Sequence, residues 1–210
     1  IRREGFSMVP RPGNDPSYDW KGKIPYEDMP FLYNPKKGYI STANNKTIDN
    51  DFPYYISGLW ADPSRSKRIK KRLEGMKSYT VQDMKSIQLD QTSEFAKEVL
   101  PYLIDLEKGG ESVGLKRAFE FLKVWDGEES VDSEAALLFH AIMRNLVLNI
   151  YEDELSLLGD KYMEAYTGLK YLVHRKLREI LKTGESSWID NITTKGKIES
   201  IEEIIYQSIV

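Results

Sequence analysis

Prolines are concentrated at one end of the chain, and this distribution limits the possible folds more than any other feature of the sequence. Seven of the nine prolines precede residue 60, and aromatic residues are interspersed among them. Proline at this density prevents long helices and interrupts central strands, because its ring fixes φ and removes an N–H donor. A disordered segment would contain few aromatic residues. The first quarter is therefore predicted to be ordered, extended chain with short strands.

The remainder of the chain has the periodicity of amphipathic helices. The change comes at Asp62-Pro63, a typical helix start, because aspartate is a good N-cap and proline fits the first helical position. From there on, apolar residues recur at helical spacing. We predict an extended segment at residues 1–61 and a helical region at residues 62–210, which makes the fold mainly α.

Several helix ends can be placed within the helical region. Thr80 and Asp83 have the spacing of a capping box. A single long helix is predicted over residues 160–183, with Gly184 as the glycine that follows its last turn.

The stretch GYISTANN at residues 38–45 combines two signals. Its first residues alternate in the manner of a short strand, and the Asn44-Asn45 pair is typical of a turn. Two interpretations of this pair remain open at this point. The asparagines serve the turn alone, or one carboxamide points into a functional site.

Composition excludes several classes of function. The 210 residues contain no cysteine, which excludes disulfides, thiolate metal sites and cysteine nucleophiles. A net charge of -3 argues against a dedicated nucleic-acid-binding protein. No apolar run has the length of a membrane span, and no signal peptide is recognisable.

Histidines and carboxylates give little indication of a metal site. His140 and His174 fall in predicted helices without a second ligand at a metal-binding spacing, so we interpret both as packing or surface residues. Four aspartates could contribute to a site for a hard cation, namely Asp15, Asp19, Asp49 and Asp51, but they do not follow an EF-hand pattern. Turn formation explains them equally well.

A basic run occupies residues 65–72 at the start of the helical region. A solvated helix face is the usual explanation of such a run, and binding to nucleic acid is the remote alternative. Arg65 differs from its neighbours because it lies in the predicted first turn, where a cation opposes the helix dipole. Helix stability alone does not require an arginine there.

Successive blocks of the sequence, in order and spacing, resemble the penicillin acylase family. The blocks are residues 10–13 (PRPG), 18–22 (YDWKG), 24–30 (IPYEDMP), 34–35 (NP), 38–45 (GYISTANN), 51–54 (DFPY), 59–60 (LW), 89–93 (LDQTS) and 125–127 (WDG). The resemblance is dense up to about residue 132. It implies an N-terminal-nucleophile hydrolase, an α+β protein with an αββα sandwich, made as a precursor that cleaves itself into an α and a β chain.

The resemblance also implies particular roles for residues. The family nucleophile is a serine at the start of the β chain, far upstream of this segment and therefore absent from it. The first asparagine of the pair, Asn44, matches the family residue whose side-chain amide donates to the oxyanion. Arg65 matches a family arginine near the catalytic centre, which we expect to orient Asn44 or the substrate.

What the chain binds also follows from the resemblance. The expected partners are the rest of the same precursor, namely the α chain and the N-terminal part of the β chain, and a small acyl-amide substrate. No cofactor is expected in this segment. Calcium is possible in the parent protein, but the matching ligand position falls at Tyr54 or Tyr55. The family implies a periplasmic or extracellular location.

Both ends of the sequence favour a segment of a larger protein. It opens at Ile1 without a methionine, and it stops at Val210 within an apolar helical stripe. The leading hypothesis is an internal segment of the β chain of an amide hydrolase, inactive alone. The alternative is a non-catalytic binding or scaffold module that keeps the family framework.

Overall fold

Helices form most of the regular structure in the computed structural model, which describes residues 9–105 and 113–210. The helices are α1 (Ser64–Leu73), α2 (Val81–Gln88), α3 (Glu94–Ile104), α4 (Val113–Val124), α5 (Glu134–Leu157), α6 (Lys161–Gly168), α7 (Lys170–Thr183) and α8 (Ile201–Ile209). Two short 3-10 turns, Pro16–Tyr18 and Tyr26–Asp28, precede them. The prediction of a mainly α protein is confirmed.

The chain separates into two compact units, Ile1–Met76 and Lys77–Val210. In the first unit, the described residues before α1 run as bends and turns, and α1 itself belongs to this unit. The packing boundary therefore lies after α1, whereas residues 1–61 and 62–210 were distinguished by the change from extended to helical chain. Residues 1–8 of the predicted extended segment lie outside the described residues.

The short strand predicted within residues 38–45 is not formed. Across residues 9–105 and 113–210 the structure has no β-strand, although an isolated antiparallel bridge joins Thr92 to Glu128. Within residues 38–45 the chain has bends but no ladder hydrogen bonds to a neighbouring strand. Alternation of side chains describes an extended backbone, and a strand also requires a partner to accept and donate these bonds.

The second unit is built around α5. This helix packs against α4, α6 and α8, while α3 packs against α4 and α7. The Ser133 hydroxyl caps α5 by accepting from Ala136 N at 3.1 Å. Several of its side chains are almost fully buried, among them Phe139, Leu146 and Ile150. Together with apolar residues of the neighbouring helices they form one continuous hydrophobic core.

The single helix predicted over residues 160–183 is wrong, because the chain forms two helices there. α6 ends at Gly168, and α7 begins at Lys170 after Leu169 leaves helical geometry at φ -87° and ψ 54°. Glycine favours a break because it loses the most backbone freedom in a helix. The Thr167 hydroxyl also donates back to Met163 O at 2.9 Å, a contact that bends helices.

Other predicted helix ends are confirmed. Thr80 and Asp83 form the reciprocal capping box at the start of α2. Gly184 follows α7 with a left-handed φ of 70°. Within the described residues, every helix is too short or too polar to cross a membrane.

Candidate active site

The start of α1 and the bend at residues 43–45 are tied together through main-chain and side-chain hydrogen bonds. Ala61 N donates to Asn44 O at 2.9 Å, which holds the chain just before α1 against the bend. One residue later, Asp62 Oδ1 accepts from Ser64 N at 2.9 Å and supports the first turn of α1. The N-cap position itself is occupied by Pro63, which has no side-chain capping hydrogen bond. The prediction of Asp62 as the N-cap and Pro63 as the first helical residue is therefore wrong by one residue, although the Asp62 carboxylate contacts the first turn.

Arg65 extends from the first turn of α1 to the same bend. A single nitrogen, Nη2, donates to Asn44 Oδ1 at 2.9 Å and to Ala43 O at 3.1 Å. A guanidinium group has only donors, so the atom of the Asn44 carboxamide that faces Arg65 is its oxygen. The amide NH₂ of Asn44 is consequently turned away from Arg65.

The backbone of Asn44 has a left-handed conformation, with φ at 60°. Among residues with a side chain, asparagine is one of the few that adopt this region at little cost. The conformation sets the direction in which the carboxamide leaves the main chain. Asn44 therefore combines a backbone that tolerates the left-handed conformation with a side-chain oxygen that accepts from Arg65.

The Asn44 NH₂ group is available for a ligand. None of the described residues accepts a hydrogen bond from Asn44 Nδ2, and the residue is exposed. Its other polar atoms are engaged, since Oδ1 accepts from Arg65 and the main-chain oxygen from Ala61. A neutral N–H donor in a fixed direction is the kind of group that stabilises a developing negative charge.

The second asparagine of the pair is engaged differently. Asn45 Oδ1 accepts from Ala43 N at 3.1 Å, and Asn45 Nδ2 donates to Lys46 O at 2.8 Å. The sequence did not separate the two asparagines by their local contacts, because both are turn residues. The resemblance singled out Asn44, and the three-dimensional arrangement shows that Asn45 Nδ2 is engaged with Lys46 O whereas Asn44 Nδ2 has no acceptor among the described residues.

The histidines lie in the second unit and take part in packing and surface contacts. His140 Nε2 is 3.2 Å from Glu129 Oε1. The His174 ring stacks on Phe95, with ring centres 4.2 Å apart. In the described part of the chain, no group of three or more histidine and acidic residues is arranged to hold a metal ion.

The residues at the position of the family calcium ligand do not fit a calcium site. The Tyr54 hydroxyl donates to Asp28 Oδ2 at 2.7 Å, and this hydrogen bond raises the pKa of the Tyr54 phenol. Calcium takes carboxylate and carbonyl oxygens as ligands, whereas a protonated phenol is occupied as a donor here. Asp49 and Asp51 are exposed, and no described cluster joins them to further carboxylates.

Comparison with known proteins places the chain in a family of hydrolases. The sequence model of the penicillin amidase family matches residues 1–210, so the chain belongs to the penicillin amidase family. The resemblance seen in the blocks of the first half therefore extends over the whole chain.

Relatives of similar sequence are named either as acyl-homoserine lactone acylases or as penicillin acylases. Acyl-homoserine lactone acylase QuiP of Pseudomonas aeruginosa is 31% identical over 166 residues, which cover 73% of this chain and 20% of the relative. Penicillin acylase 2 proenzyme of Pseudomonas sp. is 31% identical over 144 residues, covering 66% and 18%. Penicillin G acylase of Escherichia coli is 38% identical over 68 residues, covering 31% and 8%. The matched regions span about a fifth of the first two relatives.

Proposed function

We propose that this chain is a segment of the β chain of an amide-hydrolysing acylase and that Asn44 supplies an oxyanion donor to its active site. Arg65 would support the reaction by fixing the Asn44 carboxamide. The observation that carries the proposal is that Arg65 Nη2 donates to Asn44 Oδ1, so that the amide NH₂ group is turned away from Arg65. None of the described residues accepts a hydrogen bond from Asn44 Nδ2. Membership of the penicillin amidase family supports the class of reaction.

The proposed chemistry is acyl transfer through a covalent intermediate. A serine hydroxyl supplied by another part of the parent protein attacks the carbonyl carbon of the substrate amide, and its proton passes to the serine's own α-amino group. The carbonyl oxygen then carries a negative charge, toward which Asn44 Nδ2 donates. The amine leaves with a proton, and water hydrolyses the acyl-enzyme to the acid and free serine.

The partners of the segment follow from the same proposal. The remainder of the precursor would contribute the nucleophile and cover the first unit, in which Tyr26, Phe31 and Tyr33 are each more than 80% exposed. The substrate would be a small linear acyl amide. On the family resemblance, we also propose a periplasmic or extracellular location.

Substitution of Asn44 in the intact parent protein tests the proposal. Asn44→Asp keeps an oxygen facing Arg65 and tolerates the left-handed backbone, but it replaces the NH₂ donor by a negative oxygen. Asn44→Gly keeps the backbone freedom and removes the side chain. We expect kcat for phenylacetyl- and octanoyl-p-nitroanilide to fall on the order of 10²–10³-fold in both variants, with a much smaller change in KM.

A matched control is available in the same unit. Asn34 also has a left-handed φ, of 43°, and is exposed. Asn34→Asp and Asn34→Gly should leave kcat unchanged. An active parent protein whose kcat survives Asn44→Gly would contradict the donor role. An intact wild-type protein that hydrolyses neither anilide would favour the non-catalytic scaffold instead.

A further inference from the structure

Asn45 connects the main chain on both sides of Asn44. Its Oδ1 accepts from Ala43 N at 3.1 Å, on the side before Asn44. Its Nδ2 donates to Lys46 O at 2.8 Å, on the side after it. One side chain thus closes the turn that presents Asn44, using an acceptor and a donor of the same carboxamide.

The direction of the Asn44 side chain depends on the backbone that this turn holds. Asn44 has a φ of 60°, a region that is less favourable than the extended or helical ones for residues other than glycine. If the backbone relaxed to a negative φ, the Asn44 carboxamide would leave the main chain in another direction. Contacts that restrain the backbone of the turn therefore also restrain the direction of the Asn44 carboxamide.

Two sets of contacts restrain the bend, and they act from different places. Ala61 N and the Arg65 guanidinium bind it from residues 61–65, through Asn44 O, Asn44 Oδ1 and Ala43 O. Asn45 restrains it locally, through Ala43 N. The remote contacts hold the Asn44 carboxamide oxygen and the main-chain oxygens of Ala43 and Asn44, whereas the local contact holds the main-chain N–H of Ala43.

We propose that Asn45 is a positioning residue for the Asn44 amide donor, acting through the hydrogen bond from Ala43 N to Asn45 Oδ1. This inference rests on the proposed function, since it assigns Asn45 a part in the reaction at Asn44. Asn45 itself does not contact the substrate in this proposal, because its amide is turned to the Lys46 carbonyl.

The variants Asn45→Ala and Asn45→Asp separate the two hydrogen bonds in the intact parent protein. Asn45→Ala removes both, whereas Asn45→Asp keeps an oxygen for Ala43 N and replaces the donor to Lys46 O by a carboxylate oxygen. With activity counted per active site titrated by a sulfonyl fluoride, we expect kcat to fall about tenfold in Asn45→Ala, with KM unchanged. Asn45→Asp should stay within about threefold of wild type.

A double-mutant cycle distinguishes positioning from a general loss of structure. If Asn45 acts through Asn44, adding Asn45→Ala to Asn44→Gly should lower kcat no further, because the donor it positions is already gone. A purely structural residue would lower the titrated fraction of enzyme and leave kcat per site as in wild type. That result in an active, Asn44-dependent protein would overturn this inference alone.

Hydrogen exchange provides a measurement that does not depend on activity. The amide of Ala43 should exchange faster in Asn45→Ala than in wild type and at an unchanged rate in Asn45→Asp. Equal protection in wild type and Asn45→Ala would contradict the inference even if the alanine variant had lost its activity. A wild-type protein without hydrolytic activity would overturn the proposed function and this inference together.

Discussion

Each of the two units of the chain is stabilised by a different kind of interaction. In residues 77–210, one continuous core unites apolar side chains of several helices. In the described residues 9–76, the buried apolar side chains are only Ala43, Ala61 and Leu73. Directional hydrogen bonds take the place of such a core in the first unit, for example those that Arg65 donates to the bend at Asn44.

This difference matches what each kind of interaction can specify. Burial of apolar surface stabilises a fold strongly but has no direction, so it tolerates small shifts of the groups that it holds. A hydrogen bond contributes less and fixes both a distance and an angle. Asn44, which we propose as the oxyanion donor, lies in the unit that is defined by hydrogen bonds, and such a bond from Arg65 orients its carboxamide.

The largest expected effect is the removal of a core side chain. Phe139 is 1% exposed and its ring centre lies 5.3 Å from that of Trp125. Phe139→Ala should lower the free energy of unfolding by about 3–5 kcal/mol, because it loses burial and leaves a cavity. Phe31→Ala, at a residue that is 81% exposed, should change it by less than about 0.5 kcal/mol. Urea unfolding of the 210-residue chain, followed by helical circular dichroism, measures both, and equal losses would break the comparison.

A pH-dependent effect of intermediate size is expected in the second unit. Burial, followed by the neighbouring Asp153 carboxyl and the charge of Asp190, raises the pKa of Glu154 from 4.5 to about 7. Asp153 in turn accepts from Ile192 N at 2.8 Å, which ties this acidic group to the segment after α7. Between pH 4.5 and 7 the folded chain keeps a proton that the unfolded chain releases. Stability should therefore fall as pH rises through this window and level off above it.

The variant Glu154→Gln isolates this contribution. Its Tm should exceed that of wild type by an amount that grows from pH 4.5 to pH 7, to roughly a few degrees. The pKa values of Glu199 and Glu203 are lowered, chiefly by the Thr194 and Lys197 side chains respectively, and their contributions are lost as pH falls. Since both groups are present in wild type and variant, they cancel in the difference. A difference that is constant with pH would contradict the assignment to Glu154.

The smallest expected effect concerns one hydrogen bond of the first unit. Tyr54→Phe removes the hydroxyl that donates to Asp28 and keeps the aromatic ring. If hydrogen bonds define this unit, backbone amides around residues 28 and 54 should exchange a few times faster with solvent in the variant. Tyr26→Phe is the matched control, because this exposed tyrosine has no hydroxyl partner among the described residues. Hydrogen exchange with mass spectrometry compares the two, and identical rates would show that the Tyr54 contact is dispensable.

The elements that could be predicted from sequence depend on contacts between near neighbours. The capping box of Thr80 with Asp83 and the left-handed Gly184 each involve a few residues along the chain, so their sequence signals are complete. The break at Leu169 was missed, because the apolar periodicity continues across it. The predicted strand within residues 38–45 was also wrong. A strand needs a hydrogen-bonding partner from another part of the chain, and the local sequence does not show whether one is present.

The candidate site could be predicted in part. The family resemblance indicated Asn44 and Arg65, and the structure brings these two side chains into contact. Their roles in a reaction stay predictions. The support from Asn45 and Ala61 could not be read from the sequence, because asparagine and alanine at those positions have ordinary local explanations. The structure shows that Ala61 N donates to Asn44 O and that Asn45 Oδ1 accepts from Ala43 N, so both residues contact the backbone of the bend.

The contact between Arg65 and Asn44 joins residues that are 21 positions apart. It closes a loop, and the residues of the candidate site lie at its two ends, around Asn44 and around Arg65. The entropic cost of closing such a loop rises only with the logarithm of its length, by about 0.6 kcal/mol for each doubling. A change in the length of the connection over residues 46–60 should therefore add little to the entropic cost of bringing Asn44 and Arg65 together.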